Sequence, residues 1–523
     1  MSDQSRADAH DEFRDLPESP SLRHLKLEAK RRLAAGEFAT LHDAQLAVAR
    51  EHGVSSWAVL KQQVTAAEGE DGHALAQVRW VFGRYAGANT PDWTPPSHGE
   101  LSEHFDERFL SLVPPATVAE TLHGVATRLH DDLVVVDGGP LHLRAKIADL
   151  LVEAAAEPSA PHRLTGLRVY RGGGTITDAR TARPPSTGTG PVPEQVPALV
   201  DESYAELGLV GLIAAGDWDD GPASGPAPSP AFGRGPGPWA HTRGWADLDD
   251  DVPLRPDHCF PARAITKLIT STAVLRLVAE GAVALDDPAN GHLRSLHLAD
   301  EAVTVRELLS HTGGVDSPPS MWADAAANVT DVLGPVVGCS GTRGQFAYSN
   351  AGYAVLGKLI ADVTGSEFAQ AVTRLVLEPL DMSDSWFPDR TPTSERAVKG
   401  HRLAMDGSFA PEPLPAFAFQ AAGGLWTTAP DLVRFGSGWR RLLPDHLAEQ
   451  ALRPHASQNG AGAEIGLGWL LQHPKDAIGH AGSGPGSSAS LIVRPSTSRT
   501  SVVFTNRLVP IEPVNARLIR PIA

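Results

Sequence analysis

The chain opens with apolar positions at helical spacing. Leu22, Leu25, Leu27, Ala29 and Leu33 fall on one face, and Gly36 ends the run. Thr40 is suited to N-cap a second helix carrying Leu41, Ala44, Leu46 and Val48, closed by Gly53. A third short helix is expected from Ser55 through Trp57, Val59 and Leu60. Residues 66–75, rich in Gly, Glu, Asp and Ala, read as a linker. The pattern then changes period. Glu103 to Leu112 and Val118 to Leu129 keep helical spacing. Leu133–Val136, Leu141–Ile147, Leu150–Ala155 and His162–Tyr170 read as strands of a meander. Helices followed by antiparallel strands predict a small α+β domain over 76–183.

The stretch PPSTGTGPVPEQVP at 184–197 reads as a second linker. The expected organisation is a helical module at 1–68, an accessory domain at 76–183, a linker at 184–200 and a large domain at 201–523. Within the last, DGPASGPAPSPAFGRGPGP from Asp220 to Pro238 separates two apolar strands, Gly208–Ala215 and Trp239–Trp245. It reads as a long exposed hairpin loop.

Composition narrows the classes. With 42% apolar and 20% charged residues the chain can build packed cores, which excludes global disorder. A net charge of −17 argues against nucleic acid and anionic membranes as partners. Two cysteines, Cys259 and Cys339, exclude a disulfide scaffold and a cysteine-rich zinc module. The start, MSDQSRADAHDEFRDLPESP, has no basic segment leading into an apolar one, so no secretory signal is expected and a cytoplasmic protein is. The longest strongly apolar run, near Leu207 to Ala215, is about half the ~20 residues of a membrane span.

Two resemblances concern the first 200 residues. SLRHLKLEAKRRL followed by LHDAQLAVAREHGVSSWAVLK resembles a small helical module at the start of actinobacterial ankyrin and enzyme chains, which implies packing or an unidentified partner. Residues 76–183 resemble the cone-shaped cystatin-like domains fused to β-lactamase-like domains.

A third resemblance rests on seven landmarks in order. They are GWADLDDDVPLRPDHCF from Gly244, ITKLITSTAVLRLVAEGAVALDDP, TVRELLSHTGGV from Thr304, FAYSNAGYAVLG from Phe346, AAGGLWTTAPDLVRF from Ala421, GHAGSGPGSSASLIVRP from Gly479, and VVFTNR from Val502. From about Asp201 to Ala523 the chain resembles the serine β-lactamase and penicillin-binding-protein superfamily, on the class C β-lactamase and esterase side. That implies an α+β fold, an antiparallel sheet with flanking helices plus an all-helical lobe. It also implies acyl transfer from an ester, amide or β-lactam through a serine ester.

The resemblance assigns roles. Lys267 and Tyr348 would shuttle the nucleophile's proton. His480, on the His480–Gly482 strand at the cleft wall, would join them as a catalytic residue, and Asn350 and Gly482 would bind the substrate. The backbone N–H of Ser483 and that of the nucleophile position would hold the oxyanion. One departure is decisive: three residues before Lys267 stands Ala264 where relatives carry serine. Without a hydroxyl no acyl-enzyme forms there. Three explanations stay open: a natural chain that has lost or changed its activity, a replaced nucleophile, or a substitute residue. Ser271, Ser349 and Cys259 are the substitutes to consider; Ser271 and Cys259 read as packing, and Ser349, between Tyr348 and Asn350, is expected to point to the opposite face. His311 reads as a structural histidine at a helix end.

The leading expectation is a serine hydrolase family protein lacking its nucleophile. The alternatives are a non-catalytic ligand binder and a non-covalent acid–base enzyme in small-molecule biosynthesis. The partner expected is a small acyl compound. No cofactor and no metal are expected, because no histidine pair or cluster has ligand spacing and no phosphate-binding loop occurs.

Overall fold

The structure, a computed structural model, describes residues 73–520 apart from 219–237 and scattered short stretches, together with parts of 29–57. Most of the first predicted helix, residues 220–237 of the predicted loop, the Gly172–Gly174 run, which the sequence predicts as a turn, and most of 107–132 lie outside the described residues. The chain divides into two compact units, Met1–Val169 and Tyr170–Ala523.

In the first unit, α1 (Leu41–Glu51) starts where Thr40 Oγ1 accepts from the Asp43 N–H at 3.1 Å. Helix α2 (His73–Ala86) begins inside the stretch expected as linker. It buries Ala74, Leu75, Val78, Val81, Phe82 and Tyr85 on one face. Helix α3 (His98–His104) follows, opened by a capping box between Ser97 and Glu100. Strands β1 (Leu133–Gly139), β2 (His142–Ile147), β3 (Leu150–Ala156) and β4 (Leu164–Arg171) form the predicted meander, paired in sequence order. Burial alternates along β3, so Leu150, Val152, Ala154 and Ala156 share the core with α2.

The second unit is built on a large sheet. Residues 184–200 are part of it, which corrects the expected linker and the boundary drawn from it. Ser186–Thr189 (β5) is an edge strand on the sheet, and Val196–Leu207 (α4) is a helix. All four β5 residues are exposed, so the strand has no apolar signature. Pro197 opens α4, and Gly208 closes it in the left-handed conformation at φ 59°.

The other strands along the main path of the sheet are β6 (Gly211–Gly216), β7 (Trp239–Asp247), β8 (Ala456–Gln458), β9 (Ala463–Ile465), β10 (Leu470–Gln472), β11 (Ala477–Gly484), β12 (Ser487–Arg494) and β13 (Arg499–Thr505). They run in the order β8-β9-β10-β11-β12-β13-β6-β7-β5, antiparallel at each pair, so an early strand of this unit pairs with its last at β6–β13.

Helix α5 (Thr266–Ala279) buries eleven of its fourteen residues, the pattern of a helix enclosed on all sides. Around it and the sheet lie α6 (Val305–Leu309), α7 (Asn350–Thr364), α8 (Gln420–Gly423), α9 (Ala429–Gly438) and α10 (Glu512–Leu518). A side chain at Gly436 of α9 would meet Leu491, whereas Asn515 of α10 bonds Ser490. Adjacent strand residues face opposite ways, so these two helices cover opposite faces of the sheet. Among the described residues no helix is long and apolar enough to cross a membrane.

Candidate active site

Residue 264 sits in a tight turn between a short strand and α5. Phe260–Pro261 pairs with Trp426–Thr427, the Ala262 N–H donates to Leu425 O at 2.8 Å, and Arg263–Ile265 forms one 3-10 turn before Thr266. Arg263 is left-handed, with φ 52°. A non-glycine residue there costs on the order of 1–3 kcal/mol and needs to be held. The buried guanidinium supplies the hold. Its Nε donates to Ser487 Oγ at 2.9 Å, Nη1 to Pro415 O at 3.1 Å and Nη2 to Pro485 O at 2.9 Å. These acceptors are neutral, and burial pushes the group down to about 9. Sequence reasoning missed Arg263. Its signal was an arginine inside an otherwise apolar, buried run.

At the second position of α5, three residues after Ala264, Lys267 is wholly buried. Its Nζ donates to Asn350 Oδ1 at 2.6 Å and to Ala422 O at 2.7 Å. Nζ also lies 4.8 Å from the Tyr348 ring centre and 5.5 Å from that of Tyr353. Burial holds the amine well below the usual lysine range. A neutral amine has two N–H groups and one lone pair. The two acceptors take two of its N–H groups, so whenever the amine is neutral its lone pair is left as a base. Thr270 Oγ1 donates to Ala421 O and the Leu425 N–H donates to Thr266 Oγ1, fixing α8 and the segment after it against α5.

Tyr348 stands just before α7, more than a third exposed. Ser349 caps α7, its Oγ accepting from Gly352 N at 3.0 Å, which sets Asn350 at the first helical position facing Lys267. His311 follows α6 and is buried and left-handed at φ 58°. Burial, and then the neighbouring Lys267 and His480, hold its imidazole well below the usual range.

The last wall is β11. Strand β10 pairs with it only through Ala477–Gly479, so its edge from His480 to Gly484 has no strand beside it among the described residues. The 263–265 turn lies there instead. A Cβ on Gly482 would fall 2.6 Å from Ala262 O, 2.7 Å from Arg263 Cβ and 2.8 Å from Ala264 N, so the backbones touch and only glycine fits. His480 is on the same strand face. Its Nδ1 contacts Ala481 O at 2.6 Å, and since a carbonyl only accepts, Nδ1 carries the proton. Burial first, then Lys267, push the imidazole down to about 4, so Nε2 is a bare acceptor at neutral pH.

The structure therefore brings Ala264, Lys267, Tyr348, Asn350, His480 and Gly482 together. Ser483 follows on the exposed edge of β11. The substitute nucleophiles are engaged elsewhere. Ser271 Oγ donates to Leu467 O at 2.6 Å, Ser349 caps α7, and burial pushes the Cys259 thiol up to about 12. Among the described residues no group of three or more His, Cys, Asp or Glu side chains is placed to hold a metal. A cavity of about 420 Å³ lies apart from this cluster, against the end of α5, with Val283, Leu285, Arg306 and Leu447 in its lining.

Comparison with known proteins places this geometry. The family model described as beta-lactamase matches residues 170–523. The chain belongs to the β-lactamase family. An uncharacterized protein of Mycobacterium tuberculosis is 31% identical over 243 residues, 39% of this chain and 58% of that one. The match thus spans little more than half the length of that relative. The esterase EstB of Burkholderia gladioli is 30% identical over 287 residues, 44% of this chain and 70% of its own. The octameric penicillin-binding protein homologue from Pyrococcus abyssi superposes with a TM-score of 0.52 at 21% identity, over 62% of this chain and 76% of that one. That likeness shows the β-lactamase family fold and nothing finer.

Proposed function

We propose that this β-lactamase family chain binds an acyl compound in the cleft between α5, the 347–350 segment and the edge of β11, without forming a serine ester. One observation carries the reading. The turn at 264 keeps its lysine, tyrosine, asparagine and strand neighbours, while its own side chain is a methyl group. Loss of such a nucleophile costs on the order of 10⁶ in rate in a serine hydrolase, and binding needs only shape and donors. The backbone N–H groups of Ala264 and Ser483 are the candidates to meet the acyl oxygen, with Tyr348 and Lys267 beside the carbonyl carbon. Lys267, His311 and His480 are paired with no carboxylate among the described residues, and burial disfavours their charged forms. This favours an uncharged acyl compound, and the esterase relative makes an ester the first to try.

A second reading, a non-covalent acid–base site, is favoured by the Lys267 amine, whose charged form burial disfavours, 4.8 Å from the Tyr348 ring centre. Calorimetric titration of the chain with 4-nitrophenyl butyrate and with benzylpenicillin, alongside absorbance, separates the two. Saturable heat without release of nitrophenol supports the binder. Turnover abolished by Tyr348→Phe, with no adduct, supports the acid–base site. No binding of either compound contradicts both.

A further inference from the structure

His311 occupies the position after α6 where a chain leaving a helix in the left-handed conformation normally uses glycine. Histidine tolerates that conformation less well, so its use there calls for a compensating contact. The contacts are on either side of Tyr348. The Ala347 N–H donates to His311 O at 2.8 Å, and the Ser349 N–H donates to His311 Nδ1 at 3.1 Å. Between those two anchors the Tyr348 ring rests against the imidazole, centroids 4.5 Å apart. Phe346 at 6.0 Å and Tyr353 at 5.0 Å enclose the imidazole further. The Tyr353 hydroxyl in turn donates to Leu309 O at 2.9 Å, tying α7 to the last turn of α6. One residue therefore grips the backbone before and after Tyr348 and supports its ring.

We propose that His311 is a positioning residue that sets the Tyr348 ring over Lys267 Nζ, through its carbonyl at Ala347, its Nδ1 at Ser349 and its ring face. The Nδ1 must be a lone pair to accept from Ser349, so the neutral imidazole is the working form. The left-handed backbone is what allows carbonyl and ring to reach the same three-residue segment. Asparagine is the one common replacement that keeps both features. It tolerates the left-handed region, and its Oδ1 can stand where Nδ1 stands.

The proposal rests on the place the proposed function gives Tyr348, beside the carbonyl carbon, where its phenol would move the proton once a serine hydroxyl is supplied, and the test separates the two. In the Ala264→Ser background with 4-nitrophenyl butyrate, His311→Ala should lower kcat about 100-fold, as for an ångström-scale misplacement, with KM within about threefold. His311→Asn should recover most of that loss. Combined with Tyr348→Phe, His311→Ala should cost less than about twofold more, because it acts through the phenol. An equal loss with and without the phenol, or no recovery by asparagine, overturns the proposal. If His311→Ala does not fold, the asparagine variant and its Tyr348→Phe combination carry the same comparison.

A second readout needs no activity. In the chain with Ala264, the ring resonances of ¹³C-labelled tyrosine, assigned to Tyr348 by the Tyr348→Phe variant, should lose their dispersion in His311→Ala. Unchanged Tyr348 resonances overturn the positioning role. Dispersed resonances that collapse in His311→Ala, with an inactive Ala264→Ser variant, uphold it and count against the acyl-transfer reading instead.

Discussion

Replacing Gly482 by alanine tests whether the strand and the 264 turn are in direct contact. The new methyl would lie 2.6 Å from Ala262 O and 2.8 Å from Ala264 N, both backbone atoms that no rotamer can move. Ordinary carbon–oxygen contact is near 3.3 Å, so the two segments must part by roughly 0.7 Å. Neither segment yields freely. Strand β11 is paired with β12 along Ile478–Gly484, and the turn is held by the three hydrogen bonds of Arg263. Overpacking of this kind costs about 1–3 kcal/mol, which for a unit of this size lowers Tm by roughly 2–6 °C. Calorimetry on Gly482→Ala reads the first effect, with Gly291→Ala as control because its methyl meets nothing within 4 Å. In the Ala264→Ser background the same shift should slow acylation by about 100-fold. A Gly482→Ala protein with the Tm and acylation rate of its parent would refute the geometry.

Two further outcomes follow from the buried bases and the buried arginine. The folded His480 imidazole titrates at about 4 and the unfolded one near 6.5, so the unfolded chain takes up the proton first. Stability should therefore fall between pH 6.5 and 4, by up to roughly 3 kcal/mol from this group, and denaturant titrations of His480→Gln should lack that part of the slope. Arg263→Lys should lose about 2–3 kcal/mol in the same assay, because an ammonium cannot span Ser487, Pro415 and Pro485 as the planar fork does. Stability equal to the parent's would show that the fork is not what holds the turn.

The elements read from apolar spacing are ones whose burial is periodic. The meander β1–β4 announces itself by apolar spacing, and helix α5, buried on all sides, was read with the rest of 201–523 through the seven landmarks. Helix α2 escaped although its burial is periodic, because it starts inside the stretch read as linker, whereas another element that escaped has no such pattern. Strand β5 lies on the sheet edge with all its residues exposed, so Ser, Thr and Gly suffice there and the stretch reads as linker. Lys267, Tyr348, Asn350, His480 and Gly482, which the structure gathers beside residue 264, were singled out through their motifs. Arg263 and the grip of His311 on Tyr348 were not. Both depend on segments far apart in the chain, residue 263 with 415 and 485, and residue 311 with 347 and 349.

The central claim is that only the hydroxyl is missing from this site. Intact-mass spectrometry of the chain and of Ala264→Ser, each incubated with 4-nitrophenyl butyrate and digested to locate the acyl group, tests it most directly. The account predicts no adduct on the chain with Ala264 and a butyryl group on residue 264 of the variant. A stoichiometric adduct on Ser271, Ser349 or Cys259 of the chain with Ala264, or none on a folded Ala264→Ser variant, would contradict it.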